Sequence, residues 1–279
     1  MIALKYKNGE LLWKNKVPGS FFGAPAFTST RVFGLTQQGM LYAWDKTNGK
    51  LVWQQHYSDQ FQGSLSAANN LLFFASVSGA VFGASQQDGH QVWSHKGDYE
   101  FITKPVVSGN FLFLGGWSSK LYCFKTDGTV NWTFKTGYVM VQNALVENNV
   151  VYFTAHDNYV YAVDVPSGKL LWRFSAIEPG NLIRLNDSLA FASRQGVVYF
   201  VQPHSGQLQK KMDLKREIAQ IYPWKGKCLV ISKNIYALDP EKTKLDKIFS
   251  GRNPFYRLAI AGSFFVVSDD LYSIYGFQQ

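Results

Sequence analysis

The stretch YAVDVPSGKLLW at residues 161–172 decides the fold, because the chain repeats it at a nearly constant interval. Copies with the same turn glycine and final tryptophan are LKYKNGELLW at 4–13, YAWDKTNGKLVW at 42–53, FGASQQDGHQVW at 82–93 and YCFKTDGTVNW at 122–132. Their final tryptophans are spaced by 40, 40, 39 and 40 residues, at Trp13, Trp53, Trp93, Trp132 and Trp172. A fixed period of this length indicates a repeat architecture.

Two fainter copies follow, YFVQPHSGQLQK at 199–210 and YALDPEKTKLDK at 236–247. Each repeat is predicted to form four short strands, as in residues 64–97, where SLSAANN, LLFFASVSG, AVFGASQQDG and HQVWSHKG follow one another. Short β-prone runs separated by Asn, Gly, Asp and Ser are typical of strands and turns. Four antiparallel strands every forty residues predict an all-β fold, a seven-bladed β-propeller of four-stranded antiparallel blades.

The two ends of the chain are expected to form the closing blade together. Residues 251–279 contain three strand-like segments, and residues 11–16 resemble a fourth strand. We therefore expect one domain over 1–279 whose ring is closed by the N-terminal strand, since this arrangement hides an open sheet edge. Both 2–8 and 271–277 resemble the third strand of that blade, and the sequence leaves open which of them fills it.

The repeated turn predicts specific contacts. Its glycine stands where a hairpin needs a positive φ. The tryptophan four residues later is expected to pack against the neighbouring blade and to donate its indole N–H. Aspartates four residues before the glycine position are expected to accept turn N–H groups, at Asp45, Asp164 and Asp239.

Cysteine content and hydropathy exclude several classes of protein. Two cysteines, Cys123 and Cys228, are too few for a disulfide framework, and both lie in apolar strand-like runs. We expect buried free thiols, with a mutual disulfide as the minor alternative. No stretch approaches a membrane span of eighteen apolar residues, and MIALKYKNGELLW lacks the apolar run of a signal peptide. These patterns predict a soluble chain without an export signal, although a removed leader or lipid anchor would leave no trace.

The pattern at 42–53 and 161–172 resembles the PQQ-type propeller repeat. Quinoprotein alcohol dehydrogenases share this repeat with non-catalytic relatives, which include the propeller lipoprotein of the bacterial outer-membrane protein assembly machinery. The resemblance covers nearly the whole chain and weakens after residue 205. It implies a protein-binding scaffold, and it suggests a periplasmic or envelope location that the residues themselves do not fix.

The quinoprotein enzymes in this family hold their cofactor with an adjacent pair of disulfide-bonded cysteines and a calcium ion. Cys123 and Cys228 are far apart, and the only adjacent acidic pair, Asp269 and Asp270, lies at a turn. We therefore expect no cofactor, no metal and no catalytic residue. The alternatives are a ligand-sensing propeller domain of a larger protein and, less expected, a quinoprotein or central-channel enzyme.

Loops that ring the predicted channel contain aromatic and arginine side chains, which are frequent in interface hot spots. A second interpretation is that the aromatic residues fill blade junctions. His156 and Asp157 form the one histidine–aspartate pair among these loops. The residues predicted to contact a protein partner are Tyr99, Trp117, His156, Asp157, Arg194, Arg216 and Phe255.

Positive charge is concentrated in one part of the chain. Residues 205–257 contain 12 Lys/Arg against 5 Asp/Glu, which accounts for +7 of the total +9, and residues 1–20 contain 4 against 1. Such a sector suits an acidic protein or an anionic lipid or polysaccharide surface. The alternative is a solvated edge whose lysines oppose strand pairing. Nucleic acid is disfavoured, because no recognised binding module accompanies the charge. The predicted basic sector comprises Lys210, Lys211, Lys215, Lys244 and Lys247.

Overall fold

The computed structural model describes residues 1–5, 8–250, 255–261, 264–269 and 274–278, and these contain strands and turns without a helix. The chain divides into two compact units. The first comprises Met1–Val151, Ala155–Asp157 and Asp164–Lys169, and the second comprises Tyr152–Thr154, Asn158–Val163 and Leu170–Gln279.

The first unit contains a two-stranded sheet and three complete four-stranded antiparallel sheets. The two-stranded sheet pairs β1 (Ile2–Leu4) with β2 (Leu11–Lys14). The four-stranded sheets are β3 (Ala26–Phe27), β4 (Arg31–Leu35), β5 (Met40–Asp45) and β6 (Leu51–His56); β7 (Ser66–Ala68), β8 (Leu71–Ala75), β9 (Ala80–Ser85) and β10 (Gln91–Lys96); and β11 (Val106–Ser108), β12 (Phe111–Gly115), β13 (Lys120–Lys125) and β14 (Val130–Lys135).

The second unit contains two complete four-stranded sheets and one three-stranded sheet. The four-stranded sheets are β19 (Pro179–Leu185), β20 (Ser188–Ser193), β21 (Val197–Val201) and β22 (Leu208–Asp213); and β23 (Gln220–Trp224), β24 (Lys227–Ile231), β25 (Asn234–Asp239) and β26 (Lys244–Ser250). The three-stranded sheet is β27 (Phe255–Ala261), β28 (Phe264–Asp269) and β29 (Ile274–Gln278). A sixth four-stranded sheet has residues in both units: β15 (Leu145–Glu147), β16 (Val150–Ala155), β17 (Tyr159–Asp164) and β18 (Leu170–Ser175).

The strand order confirms the prediction of four-stranded blades, each a meander whose consecutive strands pair. In the closing region, β1 pairs with β2, and β29 pairs with β28. Closure of the ring by residues 11–16 and the single-domain assignment stay predictions. The choice between 2–8 and 271–277 also stays open, because residues 6–7 and 271–273 lie outside the described part.

The hydrophobic core of each unit lies between neighbouring blades. Phe33 and Leu41 of the first blade share one buried cluster with Leu72 and Phe74 of the second. In the second unit, Val198 belongs to a cluster that also contains residues of the following blade. The two middle strands of a blade are therefore mostly buried on both faces, as expected for stacked blades.

The repeat tryptophans make the predicted contacts. Each of the five donates its indole N–H to a backbone carbonyl 31–33 residues ahead, in the turn of the next blade. The ring packs on that turn's glycine so closely that a Cβ at Gly49 would lie 2.6 Å from Cδ2 of Trp13. The three aspartates also accept turn N–H groups, and the Asp45 carboxylate binds the amides of Thr47 and Asn48 at 2.8 and 3.2 Å.

A lysine replaces the tryptophan in the sixth copy of the repeat. Lys210 Nζ donates to the carbonyl of Pro240, which is 30 residues ahead, and to Thr243 Oγ1 at 2.8 Å. Thr243 occupies the turn position that is glycine in the other copies, and it has the same left-handed backbone, with φ of 54°. Lys210 therefore takes over the contact between blades that tryptophan makes elsewhere.

Both cysteines are buried free thiols, as the sequence predicted. Burial raises the pKa of Cys123 and of Cys228 to about 12, because an apolar environment disfavours the thiolate. Neither side chain is therefore activated as a nucleophile at neutral pH.

Candidate interaction surface

One backbone hydrogen bond recurs in five blades and fixes the turn between the second and third strands. The turn amide donates to a carbonyl in the preceding connection, 16 or 17 residues earlier, at 2.8–3.3 Å. The pairs are Gln37 to Ser20, Val77 to Gln60, Trp117 to Glu100, His156 to Val139, and Arg194 to Glu178. We call the five donors the turn residues. Because backbone groups alone make this bond, the turn residue's side chain can differ in each blade.

Three of the residues predicted from the sequence are turn residues of successive blades. Trp117, His156 and Arg194 are exposed, whereas Gln37 and Val77 are half-buried. The sequence placed all three in turns between second and third strands, and the structure adds that each is the same residue of its turn. The repeat spacing would have revealed this equivalence, because these turn residues follow one another by 40, 40, 39 and 38 residues.

The turn at 116–119 is also bonded to the connection that follows it. Met140 N donates to Gly116 O at 3.3 Å, and Thr136 N donates to Ser119 O at 2.9 Å. Thr136 Oγ1 donates in addition to Tyr138 O at 2.6 Å. Both flanking connections are thus fixed against this turn.

Three exposed aromatic side chains belong to this turn and its two flanking connections. Tyr99 in the preceding connection is 61 % exposed, Trp117 in the turn 52 %, and Tyr138 in the following connection 56 %. We call these three residues the aromatic cluster. Tyr99 and Tyr138 occupy equivalent positions in successive connections, and the next equivalent is Ile177 in the second unit, also 56 % exposed. Sequence reasoning missed Ile177, which only the spacing would have revealed.

Other connection aromatics fill blade junctions, as the alternative interpretation predicted. Phe61 and Phe101 are 2 % and 4 % exposed. Phe61 contacts the rings of Tyr57 and Phe74, and Phe101 contacts those of Tyr122 and Phe124. Aromatic residue type alone therefore does not identify the exposed surface.

The two residues of the predicted histidine–aspartate pair have different roles. The Asp157 carboxylate accepts the backbone N–H of Gly137 at 2.7 Å and so helps to hold the connection that contains Tyr138. The His156 side chain is exposed beside it. Asp157 thus positions the surface, and His156 is presented on it.

Two carboxylates next to the aromatic cluster differ in environment. Asp98 pairs with Lys120 at 3.0 Å and accepts the Tyr122 hydroxyl at 3.2 Å. The hydrogen bond from Lys120 lowers the pKa of Asp98. Partial burial raises the pKa of Glu100 instead. Among the described residues, no ion pair involves Glu100.

In the second unit the predicted arginines lie on successive loops that are bonded together. Ile218 N donates to the carbonyl of Arg194 at 3.2 Å. Arg216 is half-buried, its guanidinium lies 4.3 Å from the centre of the Tyr236 ring, and its Nε donates to Leu214 O. Arg194 is therefore the freer of the two side chains. The side chain of Phe255 lies outside the described residues.

The lysines of the predicted basic sector have different environments. Lys210 contributes to the contact between blades described above. Lys215 pairs with Asp213 at 2.6 Å, and Lys244 pairs with Asp246 at 2.9 Å. Lys211 on β22 and Lys247 on β26 are exposed on the outer strands of their blades. These last two residues are the strongest support for an anionic contact, which stays a prediction.

Metal-ligating side chains do not cluster in groups of three or more within the described ranges. The part of the chain that the structure describes also contains no helix with the length and apolarity needed to cross a membrane.

Comparisons with known proteins agree with the repeat. Residues 1–103 and 100–216 match the model of the family described as outer membrane protein assembly factor BamB. The crystal structure of BamB from Moraxella catarrhalis superposes with a TM-score of 0.86 at 15 % sequence identity, over 100 % of this chain and 91 % of that one. This match confirms the β-propeller fold and the PQQ-like repeat. A comparison with curated proteins finds no match.

Proposed function

We propose that this chain, which belongs to the family of the outer membrane protein assembly factor BamB, is a non-catalytic scaffold that binds a protein partner through its loops. The partner-binding surface is the aromatic cluster together with the turn at 116–119. The family description names an assembly factor, so we expect a partner among the proteins of the cell envelope. The chain itself contributes a rigid surface and performs no chemistry.

One observation carries this proposal. Tyr99, Trp117 and Tyr138 leave more than half of their side chains exposed around a single turn. Tyrosine and tryptophan are the residues most enriched at interface hot spots, where each combines a large apolar area with a polar group. Exposed aromatic side chains concentrated in this way are typical of interaction sites.

The rigidity of the loops supports the same proposal. Backbone hydrogen bonds fix the 116–119 turn to the connections before and after it. The carboxylate of Asp157 adds a further bond to the following connection. Because the loops are ordered before binding, a partner would lose less free energy to ordering than it would against mobile loops.

Site-specific photo-crosslinking in the cells that produce the protein tests the proposal. A photoreactive phenylalanine analogue replaces Tyr99, Trp117 or Tyr138 in separate variants. Matched controls carry it at Phe27 and Val92, which are 56 % and 59 % exposed but lie away from this turn, on β3 and β10. We expect the three cluster positions to crosslink to one common protein that the controls do not capture.

Two outcomes contradict the proposal. The partner-binding surface lies elsewhere if the common protein is captured equally from Phe27 and Val92. The proposed function is wrong if none of the three cluster positions yields a crosslinked protein while each variant has the Tm of the natural chain.

A further inference from the structure

We infer that the partner inserts an arginine side chain into this surface, stacked on the aromatic cluster and paired with Glu100. This inference rests on the proposed function and specifies the chemistry of the partner. It assigns to the cluster a preference for cations over neutral groups of equal size, since the faces of aromatic rings attract positive charge.

The backbone places Glu100 next to two residues of the aromatic cluster. Trp117 N donates to the carbonyl of Glu100 itself at 3.1 Å, and Tyr99 is the residue before Glu100. Tyr99 is therefore linked to Glu100 by a peptide bond, and Trp117 is linked to Glu100 by a backbone hydrogen bond. Tyr138 lies in the following connection, which is bonded to the same turn.

The surroundings of this turn are less positive than the chain as a whole. The turn with Lys120, and its two connections, 97–105 and 136–144, contain Asp98, Glu100, Lys104 and Lys120, for a sum of 0. The chain as a whole carries +9. Lys120 is already paired with Asp98, so Glu100 is the carboxylate left for an incoming charge. Lys96 and Lys135, both exposed, end the outer strands just before the two connections.

Glu100 is prepared for such a charge by its environment. Partial burial disfavours its ionised form, and the described residues supply no compensating ion pair. A cation that binds beside it would supply that compensation.

Arginine fits better than lysine at a site that is both aromatic and acidic. Its planar guanidinium stacks on rings and binds a carboxylate at two points, whereas the ammonium group is compact and strongly hydrated. The chain already stacks arginine on tyrosine twice. Arg173 lies 4.7 Å from the centre of the Tyr159 ring, and Arg216 lies 4.3 Å from that of Tyr236.

Fluorine NMR with short peptides tests the inference. The eight tryptophans are replaced by 5-fluorotryptophan, and the Trp117 resonance is assigned as the one that Trp117→Phe removes. The probes are blocked Gly-Arg-Gly, Gly-Lys-Gly and Gly-citrulline-Gly peptides. Citrulline has the shape of arginine without its charge. We expect saturable shifts at Trp117, with the citrulline peptide binding about two- to fivefold more weakly than the arginine peptide and the lysine peptide between them.

The chain offers a matched control for the carboxylate. Glu178 occupies the position of Glu100 in the second unit, since its carbonyl accepts the Arg194 amide. Its neighbours there are Ile177 and Arg194 instead of Tyr99 and Trp117. Glu100→Gln should lower arginine-peptide binding to the citrulline level, and Glu178→Gln should leave it unchanged.

The outcomes separate this inference from the proposed function. Equal binding of the arginine and citrulline peptides overturns the cation preference, and so does an unchanged affinity in Glu100→Gln. Photo-crosslinking at the cluster would in that case still support an aromatic docking surface. Conversely, charge-selective shifts without any crosslinked protein would support a cation site and contradict the scaffold function. The absence of any shift at Trp117 overturns the inference directly.

Discussion

The turn position one or two residues before each outer strand has a left-handed backbone in all seven copies of the repeat. φ lies between 69° and 92° at the six glycines and is 54° at Thr243. Glycine adopts this conformation without penalty, but most of these glycines serve a second purpose, because the tryptophan of the preceding blade covers them. The absence of a Cβ thus permits both the left-handed backbone and the close packing of the tryptophan ring.

Two glycines with nearly equal backbones separate these effects. Gly49 has φ of 73° beneath the Trp13 ring, whereas Gly9 has φ of 71° and no described atom within 4 Å of the place that a Cβ would take. We predict that Gly9→Ala costs about 1–2 kcal/mol, the strain of a left-handed alanine. Gly49→Ala should cost about 1–3 kcal/mol more, because the methyl group overpacks the ring. Urea unfolding of the two variants measures the difference in the free energy of unfolding. Equal losses of stability would show that the tryptophan ring moves aside without a penalty.

At the scale of elements, the outer strand of one blade is tied to the turn of the next. Lys210 and Thr243 are the one altered pair among the six contacts of this kind in the described residues. A tryptophan ring over Thr243 would meet the Cβ that glycine lacks. The slender lysine avoids it and uses the threonine hydroxyl as a second acceptor. Lysine and threonine therefore replace tryptophan and glycine as a pair.

A double-mutant cycle tests this pairing. Lys210→Trp alone should destabilise the protein by about 1–3 kcal/mol through overpacking. Thr243→Gly relieves backbone strain but removes an acceptor, so we expect a small net change. The double variant rebuilds the contact of the other blades and should be more stable than the two single effects predict, with a coupling of about 0.5–3 kcal/mol. Thermal or urea unfolding measures all four proteins, and strict additivity would rule out the pairing.

The sequence predicted the blades and most of the contacts between them, but it did not predict the contact made by Lys210. Trp13 and its equivalents, with the glycine and aspartate turns, were enough to predict the blades and their contacts. The role of Lys210 was missed, since its acceptors lie 30 and 33 residues ahead in a copy that has lost both marker residues. Phe101 and Tyr99 could not be distinguished from residue type either, because only packing shows which ring is buried.

At the scale of the whole molecule, closure of the ring depends on how the two ends of the chain combine. Ile2–Leu4 and Leu11–Lys14 form a sheet of only two strands. Such a sheet is marginally stable by itself. Leu11 and Leu12 are 56 % and 54 % exposed on it. Completion of the blade of 251–279 by residues 11–16 stays a prediction.

Truncation tests the closure. We predict that deletion of residues 1–16 lowers the stability by several kcal/mol, at about 2–4 °C in Tm per kcal/mol for a chain of this size, and promotes aggregation through an unpaired edge. Deletion of residues 1–4 alone should have a small effect if 271–277 provide the third strand. Calorimetry and light scattering measure both variants. A Tm unchanged by the longer deletion would refute closure by the N-terminal strand.

The bond between each turn residue and the preceding connection has a consequence for how such a protein can diversify. Main-chain atoms hold these loops. The recurring hydrogen bond therefore does not depend on the side chains at residues 37, 77, 117, 156 and 194. Each of these residues can therefore be substituted independently during evolution, one in each blade, without loss of the hydrogen bond that holds its loop. A designer could do the same, and grafting the tyrosine–glutamate–tryptophan grouping onto another blade would transfer a recognition site without redesigning a loop.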